Sequence, residues 1–230
     1  MKLSKRLETI ASLVKEGSIL ADVGTDHGYI PIYLVSEGIC PRAYAMDVRK
    51  GPLERAEEHV REYGLEEKVT LRLSDGLEKL NPGEADTVVI AGMGGELICR
   101  ILEEGRHVWE STERFILSPQ SELSFVRRYL EENGFEILRE DMLKEEGKYY
   151  VIMEVGHGLM ALSKDSYYEY GRSLIQEKHP VLAELLEKER ENLTRILEAL
   201  PEQASESTEK RKIELTAKIK WIEEAQYEMQ

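Results

Sequence analysis

The sequence predicts an open, mostly parallel α/β sheet followed by a small helical unit. Three observations predict it. Short apolar runs alternate with amphipathic stretches through the first 134 residues, which is the pattern of strand–helix repeats. Two extended runs joined by "EEGK" then close the rhythm with no helix between them. After His157 the apolar residues recur at a spacing of three and four instead.

Taken in order, Leu3, Leu7, Ile10 and Val14 lie on one helical face, so the chain opens with an amphipathic helix. "SILADVG" reads as a short buried strand ending at Gly24, and Pro31 fits the first turn of the helix after it, where a missing N–H costs nothing. "RAYAMDV" is the second strand. Pro52 and Gly64 then bracket a helix over "GPLERAEEHVREYG". "KVTLRLSDG" alternates at Val69, Leu71 and Leu73 as a third strand. "ADTVVIAGMGG" and "RFILSPQ" are the fourth and fifth, with helices over "ELICRILEEG" and "SELSFVRRYLEENG". This order is read as five strand–helix units, hence a parallel sheet covered on both faces. "FEILREDMLKEEGKYYVIMEVG" is a hairpin that adds an antiparallel strand at the end of that sheet.

A domain boundary is expected near residue 157, giving a ligand-binding domain over 1–157 and a helical unit over 158–230. In the second, Leu182, Leu185, Leu186, Leu193, Ile196, Leu197 and Leu200 mark one helix, and Ile213, Leu215, Ile219 and Ile222 another. The polar "EQASES" after Pro201 joins them into an antiparallel, coiled-coil-like hairpin.

Composition narrows the function classes. At 41% hydrophobic the chain can build a core, and no apolar run reaches the roughly 18 residues of a membrane span. The charged N-terminus lacks the apolar centre of a signal peptide, so a cytoplasmic location is expected. Cys40 and Cys99 have no ligand spacing and are read as small buried thiols, with no metal site. A net charge of −14 argues against a protein that simply coats nucleic acid. Local basic clusters remain at Lys2, Lys5 and Arg6, at Arg127 and Arg128, and at Lys210, Arg211 and Lys212; taken singly, each reads as a solvated helix face.

Ligands of a doubly wound sheet bind at the carboxyl ends of its strands, and "ADVGTDHGYIP" supplies the first such turn. Gly24 and Gly28 allow close backbone approach, and the helix opening near Tyr29 offers free N–H groups. A dinucleotide turn would carry G-x-G-x-x-G, whereas position 26 here is Asp and position 29 is Tyr. Asp22 and Asp26 repel a pyrophosphate and attract a cation, which favours S-adenosylmethionine over a nicotinamide dinucleotide. Asp47, followed by Val48, ends the second strand, where a carboxylate can accept both ribose hydroxyls. Asp75 ends the third, where it can accept from an adenine amino group with Gly76 and Leu77 along the base edge or, alternatively, begin a turn or cap the next helix. Gly92, Met93, Gly94 and Gly95 end the fourth strand, where the methyl group should lie.

On "LSKRLETIASLV", "ADVGTDHGYIPIYL", "AYAMDVRKGPLERA", "LSDGLEKL", "VVIAGMGG" and "EEGKYYVIMEV", which run in order over residues 3–155, the chain resembles the bacterial tRNA (adenine-22-N1)-methyltransferases, the TrmK family. The resemblance implies a Rossmann-like class I methyltransferase domain with a helical C-terminal domain. It implies methyl transfer from S-adenosylmethionine to N1 of a tRNA adenine in the D-arm region, leaving S-adenosylhomocysteine. Asp26, His27 and Met93 are the candidates for roles at the reacting centre. Lys5, Arg6, Tyr29, Lys210, Arg211 and Lys212 are the candidates for RNA contact. His59, His107, His157 and His179 are assigned no chemistry. The residues leave other acceptors open, rRNA or a small molecule, and also a non-catalytic cofactor- or RNA-binding module. A monomer or weak dimer is expected.

Overall fold

The computed structural model describes residues 1–201 and 205–230, so the middle of the expected polar turn, 202–204, lies outside the described residues. The chain falls into two compact units, Met1–Met160 and Ala161–Gln230.

In the first unit, α1 (Lys5–Ser12) is capped by Ser4, whose hydroxyl accepts from the Leu7 N–H. β1 (Leu20–Val23) is buried at every position, as a central strand covered on both faces must be. α2 (Tyr29–Ser36), β2 (Ala43–Asp47), α3 (Lys50–Glu62) and β3 (Val69–Leu73) follow. Then come β4 (Thr87–Met93), α4 (Gly95–Glu104), a 3-10 turn over Arg106–Ser111, β5 (Arg114–Pro119) and α5 (Leu123–Glu132). β6 (Phe135–Glu145) and β7 (Lys148–His157) form the terminal hairpin.

Among the described residues, seven strands form one sheet in the order β3-β2-β1-β4-β5-β7-β6. The first five are parallel, and β7 runs antiparallel to both β5 and β6. The antiparallel strand is therefore inserted one place in from the edge, and β6 is the edge strand. One of the five expected helices is missing: residues 74–86, between β3 and β4, fold as turns. Gly76 at φ 52° and the Pro82–Gly83 pair interrupt any helix there.

Arg127 departs from its expected place on a solvated face. Its side chain on α5 is fully buried, and its Nε and Nη2 donate to Glu140 Oε1 on β6 at 2.9 and 2.7 Å. Arg128, one residue on and about 100° round the helix, is exposed. Both cysteines are buried, and burial pushes their thiols up to about 11 for Cys40 and about 12 for Cys99.

The second unit holds α6 (Asp165–Tyr170), α7 (Arg172–Gln176), α8 (Pro180–Glu198) and α9 (Glu206–Glu228). Gln226 near the end of α9 donates to Glu187 near the start of α8 at 3.0 Å, so the two long helices run antiparallel. Leu182, Leu186, Leu215, Ile222 and Ala225 are buried, but Ile213, expected in the stripe, is 68% exposed. α6 and α7 were not expected from the sequence; at six and five residues they are too short to show a period. Among the described residues, no helix is long and apolar enough to cross a membrane.

Candidate functional site

β1 has β2 on one side and β4 on the other, so the chain reverses its direction of travel across the sheet between them. A crevice is expected outside the carboxyl ends of the strands at such a point. A cavity of about 600 Å³ opens there, reached by the ends of β1 to β4 and by α1.

The turn after β1 is tied down by the Gly24 and Thr25 N–H groups, which donate to the Met46 carbonyl at 2.8 and 2.9 Å. Gly24 sits at φ 76°, and a Cβ there would collide with Met93 Cε. Met93 therefore reaches from β4 across to the first loop and lines the cavity. Gly92, at φ 78°, occupies a bulge between Ala91 and Met93 where β4 pairs with β5. Bulges of this kind re-aim the chain beside ligand sites.

The strand-end carboxylates converge as expected. Asp22, Asp26, Asp47 and Asp75 all line the cavity. Asp47 is buried, and its Oδ1 accepts from the Arg49 N–H at 2.7 Å, which leaves Oδ2 for a ligand. Asp75 is half-exposed, 3.9 Å from Arg100. Burial pushes the Asp22 carboxyl up to about 6, and the charge of Asp47 adds to the rise.

The electrostatic picture differs from the sequence reading in one respect. Asp26 is 66% exposed and bound to Arg55 at 2.9 Å, and Arg49 lies 3.7 Å from Asp47. Three of the four acids thus face an arginine, and the acidity of the first loop does not by itself turn phosphate away. Arg49 follows the strand-end "DV" and could be anticipated; nothing in the sequence marks Arg55 or Arg100.

Other expected residues are placed as follows. Gly28 caps α2 in the left-handed region at φ 68°, and Val48 and Gly76 line the cavity. Leu77 is buried beneath Gly105 and does not line it. His27, at φ 62°, also lies outside the lining; its ring stacks on Tyr29 at 5.2 Å and on His59 at 5.5 Å. The His59 Nδ1–H donates to the His27 carbonyl at 2.9 Å, so His59, given no role in the sequence reading, props the loop. Tyr29 lines the cavity and is 37% exposed. Arg6 reaches the cavity from α1, while Lys5 is exposed and its N–H donates to Glu145 at 2.7 Å. On α9, Lys210, Arg211 and Lys212 pair with Glu206, Glu214 and Glu209 at 2.8, 3.1 and 3.4 Å.

The donor set suits a ligand with a diol, a base and an amino-acid end. Asp47 Oδ2 and Asp75 are acceptors for the first two, and Asp22 and Arg6 offer one charge of each sign. Among the described residues, no group of three or more His, Cys, Asp or Glu is placed to hold a metal ion.

A family model described as "Methyltransferase domain" matches residues 3–153. The chain is 33% identical, over 97% of both chains, to the Bacillus subtilis (strain 168) tRNA (adenine(22)-N(1))-methyltransferase. Among solved structures, a Streptococcus pneumoniae protein in complex with S-adenosyl-L-methionine is 40% identical, at a TM-score of 0.88 over 97% of this chain and 99% of that one. TrmK of M. capricolum, solved with S-adenosyl-homocysteine, is 27% identical, at a TM-score of 0.88 over 100% of each.

Proposed function

The chain belongs to the tRNA (adenine(22)-N(1))-methyltransferase family, and from that premise we infer that it transfers a methyl group from S-adenosylmethionine to N1 of adenine 22 of tRNA. The observation that carries the reading is the convergence of Asp22, Asp47 and Asp75 from three strand ends on one cavity, with the glycine bulge of β4 at its end. When bound, S-adenosylmethionine supplies an electrophilic methyl group on a cationic sulfur.

In this reading Asp47 accepts from the ribose hydroxyls, and Asp75 with Gly76 takes the adenine edge. Asp22 faces the ammonium. The acceptor N1 already carries an in-plane lone pair, so the protein must align the base rather than remove a proton from it. Alignment of this kind can supply roughly 7–11 kcal/mol of a barrier. As the N1–carbon bond forms and the carbon–sulfur bond breaks, positive charge develops on the base. Asp26 is the rim carboxylate that meets it, with its charge shared with Arg55. Met93, lying over Gly24, is the surface on which the base packs. His27 acts indirectly, by holding Tyr29 at the mouth of the cavity.

N1 is on the pairing edge, so the target must be presented unpaired, and the enzyme reads folded RNA shape around it. We assign that wider grip to residues 161–230, with Arg6 and Tyr29 acting at the cavity itself. The test is tritiated methyl transfer to bulk tRNA from a strain lacking the modification, followed by nucleoside mass spectrometry. Appearance of 1-methyladenosine at position 22 alone is the expected result. No transfer to tRNA, with transfer to rRNA or to a small acceptor instead, would overturn it.

A further inference from the structure

We propose that Arg6 holds an anionic oxygen inside the cavity, either the carboxylate at the amino-acid end of the methyl donor or a phosphate of the target nucleotide. It thereby fixes the ligand's position for transfer. The inference rests on the methyl-transfer reading above and adds a residue-level role to it.

The carrying observation is an orphan. Arg6 Nη1 is buried and has no hydrogen-bond partner. A buried donor left unmade costs about 1–3 kcal/mol, and more when charged. Such a group is retained where a ligand completes it. The atom lies beside the reacting end of the cavity: a Cβ placed on Gly92 would meet Arg6 Nη1 at 3.5 Å and Gln120 Nε2 at 3.8 Å. Two donors therefore flank the bulge at the end of β4, and neither is an acceptor.

The side chain is also held in place. Ser4 caps α1, the Lys5 N–H is bonded to Glu145, and the Arg6 guanidinium lies over the Tyr150 ring at 5.4 Å. Arg6 is thus a preorganised donor, unlike a mobile surface charge.

Charge accounting then points to the ligand. In the cavity Asp26 has Arg55, Asp47 has Arg49 and Asp75 has Arg100. Among the described residues Asp22 and Arg6 are the lining acid and base without an ion-pair partner. One buried carboxylate and one guanidinium with a buried, unbonded nitrogen complement a zwitterion, ammonium to Asp22 and carboxylate to Arg6. A phosphate of the target nucleotide offers Arg6 the same kind of oxygen from the RNA side.

The experiment uses full-length wild type, Arg6→Lys and Arg6→Gln. Each is titrated with S-adenosylhomocysteine and with its decarboxylated analogue, and steady-state methylation of unmodified tRNA is measured alongside. If the oxygen is the carboxylate, wild type prefers the carboxylated ligand by about tenfold, and Arg6→Gln binds both alike. If it is a phosphate, cofactor affinity stays within about twofold while KM for tRNA rises about tenfold and its salt dependence flattens. Arg6→Lys keeps the charge without the planar fork and should show a smaller shift in the same direction; should the Gln variant unfold in a thermal melt, Arg6→Met takes its place in both comparisons. Folded variants in which neither quantity moves by more than about twofold would overturn the proposal. A wild type that binds no S-adenosylhomocysteine would sink the methyl-transfer reading first, and this inference with it.

Discussion

Two arginines of the first unit have buried guanidinium nitrogens, and they differ in what meets them. Arg127 on α5 is fully buried against Glu140 of β6, with two donors on one carboxylate oxygen at 2.9 and 2.7 Å. Arg6 on α1 ends at an orphan Nη1 facing the cavity. A charge satisfied from within ties elements together. A charge left open is a place for something outside the fold. The contrast separates residues that keep the protein folded from residues that let it act, and it can be tested from both ends.

The largest effect belongs to the satisfied pair. Arg127→Ala removes two charged donors from Glu140 Oε1 in the interior and should cost about 3–5 kcal/mol of stability, read as a lower thermal midpoint. The double change Arg127→Met with Glu140→Leu removes both charges and should recover most of that loss. If Arg127→Ala melts within a degree of wild type while cofactor binding collapses, Arg127 has been put on the wrong side of the comparison.

Asp47 is the intermediate case, half satisfied by the Arg49 N–H and half open. Asp47→Asn should weaken S-adenosylhomocysteine binding by about 1.5–3 kcal/mol, roughly tenfold or more, with little change in melting. Equal losses in affinity and stability would show its open oxygen to be structural after all.

Asp22 gives a pH test with a definite sign. Its carboxyl is raised from the ordinary 3.8 to about 6, chiefly by burial. In the ligand-free protein its stabilising share is present below about pH 4 and is lost as pH rises towards 6. Binding of a cationic ligand group moves the other way and strengthens as pH rises through about 6, where Asp22 ionises. Asp22→Asn should flatten both profiles. An affinity profile that keeps its slope in the variant places the titrating group elsewhere.

This division between satisfied and open charge marks what the sequence could and could not reveal. The strand ends at Asp22, Asp47 and Asp75, the turn at Gly24 and the helix opening before Pro31 are local patterns, and they were legible. So was the antiparallel hairpin around "EEGK", though its insertion inside the edge strand was not, because strand order is a long-range property. The expected helix after β3 fails at Gly76 and at Pro82–Gly83, signals that were present but outweighed by the rhythm around them. Arg127 and Arg128 look alike in sequence. Helix phase turns Arg127 inward with Val126 and Leu130, and the Glu140 that meets it lies thirteen residues away on another element. Arg55 and Arg100 meet two of the cavity's acids from far along the chain, and the first of these pairings, with Asp26, lowers the net charge of the loop below what its own residues suggest. The orphan atom of Arg6 has no signature in one dimension at all.

The smallest effect is expected at the far end of the chain. Lys210, Arg211 and Lys212 look like an RNA-binding patch in sequence, yet each has a glutamate three or four residues away at 2.8 to 3.4 Å. Exposed pairs of this sort contribute only about 0.3–0.5 kcal/mol each and are screened by salt, so the cations can be drawn off by phosphate at little cost. They cannot, however, present three net charges to it, because their partners stay on the same helix. Replacing all three by alanine should therefore raise KM for tRNA by no more than about threefold at physiological salt, with kcat and cofactor affinity unchanged. Removing Glu206, Glu209 and Glu214 instead should lower KM, since it frees the same cations. If the alanine variant loses tenfold or more, the cluster counts as open charge despite its partners, and the rule drawn from Arg6 and Arg127 holds only for groups shielded from solvent.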